Sequence, residues 1–356
     1  MTKRLNETGK GSLVARILAG SWRREGLTEL QLSQSELEEV TPLLYGSGAA
    51  ALGWWRIRET DLRASPSAEV MHQAYRLQVL QSGIHEQKIQ KVFRVLRTES
   101  IEPILVKGWA AASLYPERAL RPYGDIDLCV KQQDFKAAQV ALSRPEMSEC
   151  WVDLHKHFEG LEDRRFEELF SRSHLIGLED EGIRVLSDED HLALMAIHLL
   201  KHGAWRPLWL CDIGATLESL PAGFDWDRCL GSNKNRANWV VCAIGLANCL
   251  LSADIEAMPI ERRPNELPAW LVTNVLYQWS RLFPADHLPI IPPPLMLDNL
   301  SSPRALFHGI RQRWPDPVTA TFNLRGKFDA FPRLPYQVGD FLLKAGRFLI
   351  HPRGIN

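Results

Sequence analysis

Asp125, Ile126 and Asp127 stand in the order acid, apolar, acid. On an extended strand, side chains alternate between faces, so the two aspartates point one way and Ile126 points into a core. Two carboxylates this close repel each other, and each favours its protonated form. A bound dication removes the conflict. Mg²⁺ is a hard ion that takes carboxylate and phosphate oxygens. Two such ions clamp the attacking and leaving oxygens of a phosphoryl displacement. A third carboxylate completes such a centre and takes the proton of the attacking hydroxyl. Asp153, in Trp151-Val152-Asp153-Leu154-His155, has a strand-like setting for that task.

Phosphate chemistry also needs donors. Lys107-Gly108 follows the apolar run Ile104-Leu105-Val106 and opens an Ala-rich stretch. Glycine lets the backbone approach a ligand, and a helix N-terminus favours an anion. Lys107 and Arg121 add positive charge nearby. Asp153, His155 and His157 also alternate along one strand face, which suits zinc. The two-ion assignment already uses Asp153, and it leaves His155 to support the site by hydrogen bonding. His198 and His202 have the i, i+4 spacing that can hold a metal, but no glutamate of a metalloprotease lies between them. For Asp212 the options are a helix cap, a pair with Arg206 or Lys201, or a substrate contact. Trp54, Trp55, Trp205 and Trp209 are core residues or platforms for a base.

The elements that must position these groups follow from periodicity. Residues 1–97 read as helical, with Ser35 and Glu38 at capping-box spacing. Val70, Ala74, Leu77, Leu80, Ile84, Ile89, Val92 and Leu96 recur at helical spacing over 68–96, with Gly83 weakening the middle. Residues 104–106, 125–130 and 150–157 read as strands. A helix at 134–142, with Asp134 as cap, separates the last two. Residues 174–178 and 183–186 flank a hairpin signal. Beyond Ser187, which with Asp190 approximates a capping box, the chain is helical over 191–201, 209–220, 237–251 and 269–282. Residues 284–294 are proline-rich and read as a linker or wrapped loop. A last helix covers 338–350.

Composition sets the outer limits. The chain has 356 residues, 45% hydrophobic and 24% charged, with a formal net charge of −1. That is enough apolar material for a real core. A near-neutral balance speaks against nucleic acid or an anionic membrane as partner. The six cysteines form no CxxC pair and read as reduced thiols. With no signal peptide and no membrane-length apolar run in the sequence, the expected compartment is the cytoplasm.

Leu105-Val106-Lys107-Gly108, Leu114-Tyr115-Pro116, the run from Leu120 through Asp125-Ile126-Asp127 to Leu128, and Val152-Asp153-Leu154-His155 together resemble the uncharacterised nucleotidyltransferase family of the polymerase-β-like superfamily. His198, Lys201-His202 and Trp209-Leu210-Cys211-Asp212-Ile213 resemble its helical C-terminal part, so the likeness spans roughly residues 70 to 250. It implies transfer of NMP from an NTP such as ATP to an acceptor, with release of pyrophosphate. Two Mg²⁺ ions are implied, with Mn²⁺ as the alternative. The acceptor class it implies is a peptide, a sugar or a small metabolite. Asp125 and Asp127 become ligands of both metals, and Asp153 a ligand of the catalytic metal and the base. The nucleotide-binding candidates are Lys107, Gly108, Trp109, Arg121, His198, Lys201 and Asp212. One departure stands out: the Gly-Ser pair usual on the phosphate loop is Gly108-Trp109, and Lys107 is the substitute for the missing hydroxyl. The competing reading is a catalytically inactive binding or regulatory protein on the same fold.

The expected fold is α+β, with a small mixed sheet as the nucleotidyltransferase core. The expected parts are an N-terminal helical segment (1–97), that core (98–186), a helical substrate and nucleotide domain (187–290) and a C-terminal extension (291–356).

Overall fold

The computed structural model describes residues 2–26, 29–158, 160–264, 266–282 and 314–350. The chain opens with α1 (Thr2–Leu18), α2 (Gln34–Gly46), α3 (Ala50–Ile57) and α4 (Pro66–Thr98). The α/β part follows: β1 (Ile104–Leu105), α5 (Gly108–Ala112), β2 (Ile126–Cys129), α6 (Phe135–Leu142), β3 (Val152–His155), α7 (Phe166–Arg172), β4 (His174–Leu178) and β5 (Glu181–Val185). Helices then return: α8 (Asp188–Lys201), α9 (Pro207–Leu217), α10 (Trp226–Leu230), α11 (Lys234–Leu251), α12 (Ala269–Trp279), α13 (Pro317–Asn323) and α14 (Leu334–Ile350). This is the mixed α+β architecture expected from the sequence.

The sheet order is β3-β2-β1-β5-β4. β1 runs antiparallel to β2 and parallel to β5, while β4 and β5 form an antiparallel hairpin. β2 and β3 are parallel and therefore need a crossover, which α6 supplies. Their register sets Asp127 opposite Asp153 and Leu128 opposite Leu154.

Alternation along the strands divides the two faces. Leu105, Ile126, Leu128 and Val185 pack with Ile89, Val92, Phe93 and Leu96 of α4 and with Ala138 and Ala141 of α6. Ile104, Val106 and Cys129 belong instead to the larger core, which joins α1–α3 to α8, α9, α11 and α12. Asp127 alternates with Ile126 and Leu128, so it faces the helical body. Each Leu or Ile fully buried in these layers contributes about 1.5–3 kcal/mol of transfer free energy.

Several local expectations need correction. The capping box of α2 is Ser33 with Glu36, not Ser35 with Glu38; the same polar cluster supports two registers, and the one that buries Leu37, Val40 and Leu44 wins. At α8 the Ser187 hydroxyl caps the Asp190 N–H, and the Asp190 carboxylate accepts from that hydroxyl, not from the Ser187 backbone N–H of a full capping box, while pairing with Arg164 and Arg228. Asp134 occupies the cap position of α6 without a side-chain hydrogen bond. α7 carried no sequence signal that separated it from a loop.

α4 is unbroken at Gly83, but its expected apolar stripe is only half buried. Ile89, Val92 and Leu96 are enclosed, whereas Val70, Leu77, Leu80 and Ile84 are exposed, Leu80 by 68%. A helix of 33 residues is about 50 Å long, far longer than this sheet is wide. Only its second half meets the strands; the first half turns Ala68 and Met71 toward the core. The proline-rich 284–294 lies outside the described residues. No helix among the described residues is long and apolar enough to cross a membrane.

Candidate active site

The site begins where β1 ends. Lys107 has φ +56° and ψ −136°, and Gly108 follows with φ +24°. Positive φ is uncommon for a residue with a Cβ, so this strand-to-helix turn is a strained one that its surroundings must hold. They hold it at two points. The Lys107 N–H donates to His191 Nε2 at 3.1 Å, and Lys107 Nζ donates to Asp127 Oδ1 at 2.5 Å.

Asp127 is 4% exposed and Asp153, directly across the parallel pair, has its side chain 59% exposed. His155 Nε2 lies 3.4 Å from Asp127 Oδ1 and 3.2 Å from Asp153 Oδ2. One ligand atom each from Asp127, Asp153 and His155 falls within 4.8 Å of the others. Burial pushes the Asp127 carboxyl up, but the hydrogen bond from His155 and the charge of Lys107 outweigh it and hold Asp127 below the ordinary aspartate range. Two carboxylates and an imidazole on one sheet face fit a divalent cation: the oxygens suit Mg²⁺, and the imidazole widens the fit to transition ions. Asp125 sits at the bend just before β2, exposed and outside this trio. His157 is likewise outside it.

The model of a family described as an uncharacterised nucleotidyltransferase matches residues 33–252. The chain belongs to that family. No curated protein and no solved structure matches it. The match takes in every candidate site residue of this nucleotidyltransferase and also α2, α3 and the whole of α4, which lie ahead of the motifs legible in the sequence.

Around the carboxylates the nucleotidyltransferase builds a buried polar layer. Arg121 and Asp212 form an ion pair, with Nη2 2.7 Å from Oδ2 and Nε 3.1 Å from Oδ1. The Tyr115 hydroxyl donates to the same carboxylate at 2.8 Å. The partner of Asp212 is thus Arg121, not Arg206 or Lys201 as the sequence had offered. As placed, Arg121 and Asp212 are engaged with each other at 5% and 2% exposure. Trp109 is buried in the core beneath the sheet, and its indole N–H donates to Glu86. His198 stacks edge-on against Trp209 with centroids 4.6 Å apart, and lies beside His202 at the same spacing. Trp209 also packs on Trp205. Lys201 closes α8, half-buried.

His191 had no signal in the sequence beyond its place in a strong helix, yet it anchors the strained turn. Because its Nε2 accepts a hydrogen bond, the ring is neutral. Burial pushes its pKa down to about 4, and burial likewise takes His198 to about 2. Both folded values lie below the ordinary 6.5, so the folded state binds fewer protons than the unfolded chain once pH drops under 6.5. Their stabilisation is complete above that value and is lost as pH falls. Going from pH 7.5 to 5.5 is expected to cost roughly 1 kcal/mol for each ring. Urea midpoints at the two pH values test this; replacing His191 by Gln should remove about half of the slope.

Proposed function

We propose that this nucleotidyltransferase moves NMP from an NTP to a nucleophilic oxygen on a peptide, sugar or small metabolite and releases pyrophosphate. The observation that supports this most is the register of Asp127 against Asp153 beside the Lys107-Gly108 turn. The acceptor oxygen bonds to Pα, the bond from Pα to the bridging oxygen of Pβ breaks, and the acceptor proton goes to Asp153. Asp153 suits that task because it is the solvent-facing carboxylate of the trio. Asp127 and Asp153, helped by Asp125 at the mouth, would hold two Mg²⁺ ions, which supply Lewis-acid stabilisation when bound. His155 orients both carboxylates, and Lys107 keeps Asp127 ionised. Positioning and electrostatic stabilisation are the main levers in such chemistry.

The acceptor is best accommodated past the far end of β2 and β3, where a groove of about 280 Å³ lies beside Cys129, Gln132, Lys156 and His157. In this reading residues 98–186 carry the metals, and the helices α8 to α12 that follow serve the nucleotide. The cysteines, all unpaired, suit a reducing compartment such as the cytoplasm. One observation favours the rival reading of a binding protein without turnover: no hydroxyl follows Gly108, and Lys107 is engaged with Asp127.

Isothermal titration of each NTP, with and without Mg²⁺, into wild type and Asp127→Asn tests the proposal. The expected result is magnesium-dependent binding of one NTP, lost in the variant. A folded wild-type protein that binds none would sink the donor assignment.

A further inference from the structure

The loss of the loop hydroxyl raises the question of what grips the phosphates, and Lys107 is already paired. A second cation near the site, Arg206, has no ion-pair partner among the described residues. Arg206 precedes α9 and donates from Nε to the Ser47 carbonyl at 2.9 Å. Its guanidinium lies 5.8 Å from the Trp209 ring centroid. Gly48, at φ +78°, presses on it so closely that a Cβ there would fall 2.6 Å from Arg206 Nη2 and 3.4 Å from Pro122. Among the described residues no carboxylate forms an ion pair with it. Asp212, a turn and a half along, is taken by Arg121 and Tyr115. Asp125 is close enough for its charge to be felt, without a direct contact.

Arg206 is half-buried, and a cation drawn even partly out of water is normally paired, because desolvating a charge without compensation is costly. Here the enclosure depresses the pKa to about 10, burial being the largest cause and the charge of Arg121 the next. The backbone hydrogen bond and the tryptophan face hold the side chain in place, while the terminal nitrogens keep their donors. That is a preorganised fork, the geometry that matches two phosphate oxygens. It lies on the Asp125 side of the carboxylates, next to Pro122, and so at the end where β1 delivers Lys107.

Resting on the donor assignment made above, we propose that Arg206 is the polyphosphate-binding residue of this site, taking the part that a loop hydroxyl plays elsewhere, with Gly48 leaving the room it needs. Ser47 and Gly48 lie within the span of the family match. Ser47 and Gly48 would then be part of the nucleotide site although they precede the sheet by more than fifty residues in sequence.

The test uses the full chain and two probes, inorganic tripolyphosphate and the NTP that binds. Arg206→Gln is expected to weaken tripolyphosphate by on the order of tenfold or more, and Arg206→Lys, which keeps the charge but loses the fork, by a smaller factor. The melting temperature without ligand should hold or rise in Arg206→Gln, since a half-buried cation with no ion-pair partner among the described residues is removed; a merely structural arginine would lower it. Tripolyphosphate bound as tightly by both variants as by wild type overturns the proposal. Should Arg206→Gln fail to fold, equal affinity of Arg206→Lys and wild type for tripolyphosphate overturns it equally. Binding of tripolyphosphate through Arg206 with no binding of any NTP would retain the anion site and reject the NTP as its occupant. Absence of both would reject both.

Discussion

Asp212→Ala is expected to lower the unfolding free energy by about 3–5 kcal/mol, read from urea or guanidinium midpoints. The carboxylate is 2% exposed and accepts from two nitrogens of Arg121 and from the Tyr115 hydroxyl. Removing it leaves a guanidinium at 5% exposure with no anion, in a region already holding Arg206. The pair itself adds little net stability, because taking two charges out of water offsets most of their attraction. Replacing both at once, Arg121→Met with Asp212→Leu, should therefore recover most of the loss. A single variant that costs under about 1 kcal/mol would mean that water reaches the pair and that this layer is not the dry partition the geometry describes.

The second large effect separates two aspartates that face each other. Asp153→Ala should reduce turnover by on the order of 10³-fold while leaving stability within about 0.5 kcal/mol of wild type. Its side chain is 59% exposed and the fold gains little from it. Asp127→Ala should be equally inactive but also less stable, since it strips Lys107 of its 2.5 Å partner and His155 of another. Pyrophosphate release and thermal melting on the same preparations decide the matter. Retained turnover in Asp153→Ala would remove that residue from the role of proton acceptor, and a matching loss of stability would show that it is held for structural reasons.

The juxtaposition of Asp127 and Asp153 was legible because strand alternation is a strict rule: the two need only the pairing of β2 with β3 to meet, and a helix between strands is the ordinary signal for a parallel pair. Asp125, expected on the same strand face as Asp127, sits instead at the bend ahead of β2 and outside the trio. The turn at Lys107-Gly108 was legible because a glycine there follows an apolar run and opens an Ala-rich stretch. What sequence could not supply was the choice among partners for a charged group. Asp212 had two cations within reach by spacing, Arg206 and Lys201, and its actual partner, Arg121, comes from a turn 91 residues earlier. His191 looked like any residue of a buried helix, since its role depends on one backbone N–H from another element. Arg206 was legible only as a possible partner of an acid, because being unpaired is a property of three-dimensional surroundings. The long helix misled in a different way: its periodicity is real throughout, but periodicity does not say how far along the helix the sheet extends.

The parallel register of β2 and β3 carries a consequence for how this chain can change over evolutionary time. A strand has a period of two, so inserting or deleting one residue within 152–155 would send Asp153 and His155 to the α4 side and dismantle the ion-binding trio in one step. The same indel in the stretch that links α6 to β3, residues 143–151, leaves the alternation of the strand itself unchanged, provided that the buried Met147 and the Trp151 carbonyl, which accepts from the Ile126 N–H, keep their places. Lineages descended from a common ancestor of this chain can therefore accumulate length variation in that connection, while the four-residue strand is confined to point substitution.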